Sequence, residues 1–172
     1  EFNALSALER DDYMMQLKIF LRKNPTLPVV LIHMGQLEEE YIRPLLKEHN
    51  NIYFLLSHSM FKTSKPFVKL LADGKLKPKW KNLILEYPKH FIFALDNVFS
   101  FWWTGRRYLK QMGKWWQILN NFPADSAHLI AHGNAERLWK LEKKPESISF
   151  DPPWVTRRTL GDIEGRALPK QF

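Results

Sequence analysis

PVVLIHMG, residues 28–35, decides how the rest of the chain is read. Val29, Val30, Leu31 and Ile32 follow one another without polar alternation, the pattern of a strand covered on both faces, as in a parallel sheet with helical crossovers. The run then closes on an ionisable side chain, His33, and two residues later on Gly35, which permits close backbone approach or a turn with positive φ. The same design recurs in NIYFLLSHS (51–59), where the apolar run closes on Ser57 and His58, and in HFIFALDN (90–97), where it closes on Asp96.

Helical patterns fill the intervals. Residues 3–23 place Met14, Leu17, Phe20 and Leu21 at helical spacing and end on Arg22 and Lys23, as the helix dipole favours. Pro25 and Pro28 stop that helix and begin a strand at 29–33. A second helix is expected over 37–49, kinked or broken at Pro44, and Asn50-Asn51 turn the chain into a strand at 52–56. The basic stretch 58–88 should hold short helices near 66–72 and 79–86, and strand 91–95 follows. An aromatic loop then leads into a helix near 104–119, with FWW and KWW expected to pack in the core. Over 123–141 the sequence predicts two helices, the first stopped by Gly133 in a left-handed conformation and the second capped by Asn134. Residues 144–172 read as an extended tail anchored by Trp154. The order is α/β, with about three βα units and C-terminal helices.

Composition narrows the classes. The chain has 172 residues, 45% of them hydrophobic, enough for one domain with a true core. No apolar run is long enough to cross a bilayer. The absence of cysteine removes disulfides and thiolate metal sites and is compatible with a cytoplasmic protein. The net charge of +8 is concentrated in Lys62, Lys65, Lys69, Lys75, Lys77, Lys79 and Lys81, opposed only by Asp73. Such a run suits a solvated surface or an anionic partner.

In a parallel α/β sheet all C-terminal strand ends lie on one face, where ligands bind. His33, Ser57, His58 and Asp96 would share that face. A strand-end histidine can instead bond a backbone carbonyl, and Asp96 or Asn97 can cap the next helix. Read as a site, imidazole with carboxylate suits a divalent ion or the activation of its water.

LPVVLIHMG, LLKEHNNIYFLLS, YPKHFIFALDN and GNAERLW, in that order, resemble the carboxy-terminal half of a metal-dependent amidohydrolase-superfamily TIM barrel. The branch resembled contains aminocarboxymuconate-semialdehyde decarboxylase and related hydrolases. The resemblance implies that residues 1–143 are half of a barrel and that an N-terminal half is missing, since three strands stand where a barrel has eight. It implies a divalent ion, zinc first and manganese or magnesium as alternatives. Asp96 would bind the ion and handle the proton of the attacking water, while His33 would bind or polarise substrate or act as acid/base near the ion. Ser57 and His58 are candidates for substrate binding, and Asn134, Ala135, Arg137 and Leu138 match the structural closing helix. The chain departs from the family in lacking an early His-x-His pair and the residue pattern usual around the eighth-strand aspartate.

The expected function is therefore a fragment of a metal-dependent hydrolase or non-oxidative decarboxylase acting on a small molecule, inactive alone and prone to dimerise, aggregate or bind its missing half. The alternative is a basic module for nucleic acid or another polyanion, resting on the lysine run and on aromatics interleaved with Arg106, Arg107, Lys110 and Lys114. A non-catalytic barrel relative serving as an interaction surface is a third possibility.

Overall fold

Helix α1 (Ala7–Lys23) starts at a capping box: the Ser6 hydroxyl accepts the Glu9 amide proton and the Glu9 carboxylate accepts the Ser6 amide proton at 2.8 Å. The computed structural model describes residues 6–57, 68–73, 75–97 and 99–142. Beyond α1, the buried Asn51 side chain donates to the carbonyls of Leu21, Asn24 and Leu27 at 3.3, 2.8 and 3.2 Å. It thereby ties the helix end to the start of the sheet. Asn51 occupies the expected turn, but its side chain also satisfies carbonyls that the end of α1 leaves open.

Three strands form the parallel sheet that the apolar runs predict. β1 (Val29–Leu31) pairs with β2 (Ile52–Leu55) in the register Val29↔Ile52 and Leu31↔Phe54. A third strand, lying on the other side of β2, pairs as Phe54↔Phe91 and Leu55↔Ile92. Helix α2 (Glu39–Glu48) makes the first crossover and runs unbroken through Pro44. Pro44 and Glu40 are both exposed, so the carbonyl that proline leaves unbonded faces water and the break expected there is not needed.

The region after β2 differs from the sequence reading. Instead of a helix near 66–72, β3 (Leu71–Ala72) and β4 (Lys75–Leu76) pair antiparallel, with Asp73 at φ 48° in the turn. Residues 58–67, part of the expected helix, lie outside the described residues. Helix α3 (Pro78–Glu86) begins on proline, whose missing amide proton costs nothing in a first turn, and leads into β5 (Phe91–Ile92). β1 and β5 are shorter than the runs that predicted them. Past Ile92 the chain stays extended but leaves the sheet, its Phe93 amide bonding Ile130 O at 2.8 Å.

Helix α4 (Gly105–Leu119) buries Gln111, Trp115, Ile118 and Leu119. Trp115 is core, edge-on to Phe93, whereas Trp103 and Trp116 are exposed, so the paired tryptophans are not all packed inside. After α5 (Ala124–His128) the expected break at Gly133 does not occur. Gly133 is helical at φ −58°, and a π-helical turn (Leu129–Gly133) carries the chain into α6 (Asn134–Trp139). Asn134 is not a cap; its amide donates to the carbonyls of Pro88 and Phe91 at 2.7 and 2.8 Å. Its oxygen accepts from Arg137, whose guanidinium also bonds Lys89 O and lies over the Tyr53 ring. The Asn-Ala-x-Arg segment thus clamps the final helix to the entry of β5. The expected tail from residue 144 lies outside the described residues.

One core is shared by sheet and helices, with Leu21, Ile42, Leu45, Phe54, Trp80, Leu83, Phe91 and Ile130 among its buried members. Each such side chain contributes about 1.5–3 kcal/mol by leaving water. Burial also depresses two histidines below their ordinary range. His90 donates from Nδ1 to Ile52 O, which opposes the depression, and His49 is buried beside Glu48, which opposes it likewise. A histidine lowered in the folded state makes the unfolded chain the stronger proton binder. Stability is then complete above the unfolded value of about 6.5 and declines as pH falls through it toward the lower folded values. Thermal melts should show a lower midpoint near pH 5.5 than near pH 7.5, and a flatter dependence in His90→Gln; a midpoint that rises on acidification would contradict this.

Candidate active site

β1 does not carry His33 directly. The strand ends at Leu31, and His33, Met34, Gly35 and Gln36 follow with φ of 53°, 59°, 61° and 57°. Four consecutive left-handed residues form one reversed turn, disfavoured by about 1–2 kcal/mol for each non-glycine member. Burial of Met34 and Leu37, both fully enclosed, and a bond from the Leu37 amide to Met34 O hold the turn against that cost. The turn sets the imidazole between the ends of β2 and β5. Nδ1 lies 2.9 Å from Ser57 Oγ and Nε2 lies 3.4 Å from Asp96 Oδ2.

Strand register explains the meeting. Leu31 pairs with Phe54 and Leu55 with Ile92, so chain leaving β1, β2 and β5 emerges side by side on one face. His33 comes from the first, Ser57 from the central strand and Asp96 from the last. Three of the four residues singled out in the sequence are therefore brought together; His58 lies outside the described residues. The His33 ring faces a hydroxyl and a carboxylate, and Thr104 rather than Asp96 or Asn97 holds the N-cap position of α4.

Ser57 is 4% exposed, and its hydroxyl contacts both the ring and, at 3.4 Å, the backbone amide of His33. In the metal-free chain the Asp96 carboxylate beside Nε2 favours the neutral tautomer protonated there, with the Ser57 hydroxyl donating to Nδ1; a ring holding an ion through Nε2 carries its proton on Nδ1 instead and donates it to Ser57. The 3.4 Å separation to Asp96 is an ion-pair contact rather than a hydrogen bond of ordinary length. With 13% of the His33 side chain and 31% of the Asp96 side chain exposed, the pair is reachable from solvent.

Imidazole nitrogen and carboxylate oxygen are suitable donors for a divalent ion, and two ligands about 2.1 Å from one ion at a tetrahedral angle stand about 3.4 Å apart. The pair therefore fits as two members of a ligand set. Among the described residues no third histidine or carboxylate converges on it, whereas a catalytic zinc takes three protein ligands.

Two polar groups were not read in the sequence as neighbours of the pair, although Asn97 was named there as an alternative helix cap. Asn97, next to Asp96, accepts from Gln111 Nε2 at 3.2 Å and from the Trp103 indole at 2.7 Å, while its own Nδ2 is buried without a hydrogen-bond partner. Gln36 Oε1, at the end of the left-handed turn, is likewise buried and unbonded. Each such atom costs about 1–3 kcal/mol. Gln111 left one readable signal, a lone amide on the inward side of an otherwise aromatic helix.

The amidohydrolase family model matches residues 10–141, and the chain belongs to that family, in the branch related to aminocarboxymuconate-semialdehyde decarboxylase. The family is a group of metal-dependent hydrolases and decarboxylases. No curated protein and no solved structure matches the chain.

The reversed turn has a direct test. A Cβ at Gly35 would stand 3.0 Å from Leu31 Cδ1 and meet a backbone at φ +61°. Gly35→Ala should lower the free energy of urea unfolding by about 1–2 kcal/mol; a loss inside the ±0.5 kcal/mol or so usual for inert surface changes would show that the turn is not left-handed.

Proposed function

We propose that the chain supplies the carboxy-terminal strand ends of a metal-dependent hydrolase or non-oxidative decarboxylase acting on a small molecule. The observation that carries this reading is the single imidazole held between Ser57 and Asp96 across three parallel strands. Asp96 would bind the ion through one carboxylate oxygen and receive a proton. His33 would present Nε2 to the ion with its proton carried on Nδ1 and donated to the Ser57 hydroxyl, or, with the proton on Nε2, would donate it to the substrate oxygen on which charge develops. Ser57, offered by the sequence as a substrate contact, acts in this reading as a positioning residue, because its hydroxyl is engaged by His33. When bound, a divalent ion supplies a water of lowered pKa and Lewis acidity.

The open sheet supports a missing complement. Among the described residues β1 and β5 each pair on one side only, and α1 exposes Leu8, Met15, Ile19 and Phe20. Edges and apolar helix faces of this kind are covered when a barrel closes. The remaining ligands would come with that complement. The polyanion module rests on composition alone, and within the lysine run Lys79 pairs with Glu38 at 2.9 Å. Among the described residues no helix is long and apolar enough to cross a membrane.

Metal analysis of the chain joined to a family half barrel that carries the other ligands tests the assignment. Asp96→Asn should lower both bound metal and turnover by about tenfold or more, and His33→Asn should depress turnover more than metal content. Undiminished metal in Asp96→Asn would remove that carboxylate from the site.

A further inference from the structure

A second cluster lies away from the strand ends, on the outer face of the last helical segment. His128, His132 and Glu136 recur every fourth residue there, and both histidines are exposed. The imidazole rings touch edge to face, their centroids 4.2 Å apart at 75°. Glu136 Oε1 stands 2.8 Å from His132 Nδ1. A carboxylate in that position accepts a hydrogen bond from Nδ1–H and so leaves the Nε2 lone pair free, the arrangement that sets tautomer and orientation in metal-bound histidines.

The backbone is adapted to the pair. The histidines flank and enter the π-helical turn Leu129–Gly133, in which the Asn134 amide bonds back to Leu129 O. Turns of this kind are rare within helices and concentrate at functional sites. Gly133 is what admits the His128 ring: a Cβ there would stand 3.2 Å from Cδ2 and 3.4 Å from Nε2 of that imidazole. The sequence reading took Gly133 for a helix stop, but its helical φ of −58° shows that the missing side chain, not the backbone freedom, is used.

We propose that His128 and His132 form a surface site for a divalent transition-metal ion, with Glu136 orienting His132 and water completing the coordination. Imidazole nitrogen suits zinc, copper and nickel and discriminates against calcium and magnesium, which require oxygen ligands. The site uses no residue of the His33–Asp96 pair and does not depend on the proposed catalysis. Its role is to cross-brace α5 and α6, whose Asn134 and Arg137 clamp the start of β5.

Calorimetric titration of the full chain with zinc chloride near neutral pH tests the site. The chain should bind an equivalent of zinc that is lost in His128→Asn and in His132→Asn and retained in His33→Asn. Glu136→Gln should weaken that equivalent by about 10- to 100-fold. Addition of nickel should broaden the ring-proton resonances of His128 and His132. His128 and His132 are exposed, and far-ultraviolet circular dichroism of each variant checks that the fold persists. Zinc binding unchanged in both histidine variants, or no binding by the parent chain, would overturn the proposal.

Discussion

Parallel pairing of three short strands is the constraint on which the rest of the molecule depends. Because β1, β2 and β5 run the same way, their connections must cross back through α2 and α3, and their C-terminal ends must emerge together. The strands are brief, only two to four residues each. Backbone hydrogen bonding in so small a sheet contributes modestly, so its stability rests on side chains enclosed between sheet and helices. Asn51 and Asn134 add polar ties at opposite sides of that arrangement, the first binding the end of α1 and the second binding the entrance to β5.

The cost of the site is placed where a strained turn leaves β1. Left-handed residues at 33, 34 and 36 are disfavoured one by one, yet together they swing the imidazole from a strand edge to the middle of the strand-end face. Met34 and Leu37 provide the compensating burial. Ser57 then limits the ring to one orientation. The geometry resembles an acid/base pair awaiting a third component: a carboxylate close enough to share a ligand with Nε2, but farther than a closed hydrogen bond. Among the described residues β1 and β5 pair on one side only, and α1 exposes apolar side chains, the features from which a covering complement is proposed.

Much of this was legible in the sequence because the signals are coarse. Unbroken apolar runs give parallel strands, largely buried in β2 and β5 and only half-buried in β1, where Ile32 is exposed, and a polar residue after such a run falls at the strand-end face whatever the local detail. His33, Ser57 and Asp96 were found in that way. The misses have a common physical origin, namely choices made by tertiary packing between nearly equal local alternatives. Three non-glycine residues at positive φ leave no trace in a sequence, and only Gly35 hinted at the turn. The hairpin of β3 and β4 has two residues in each strand, too few for any period to show. Pro44 and Gly133 were read by propensity as breaks, but an exposed carbonyl tolerates the first and a neighbouring imidazole uses the space left by the second. The exposed Trp103 and Trp116 show the same limit, since aromatic pairs look alike whether one or both are buried.

The central claim is that the imidazole of His33 is held by Ser57 on one nitrogen and faces the Asp96 carboxylate with the other. Long-range proton–nitrogen correlation spectra of the metal-free chain, at a pH where the ring is neutral, read this directly. The account predicts a His33 ring protonated on Nε2 and unprotonated on Nδ1, with the Nδ1 resonance displaced when Ser57 is replaced by alanine. A ring protonated on Nδ1, or one whose nitrogen shifts ignore the loss of the Ser57 hydroxyl, would contradict it.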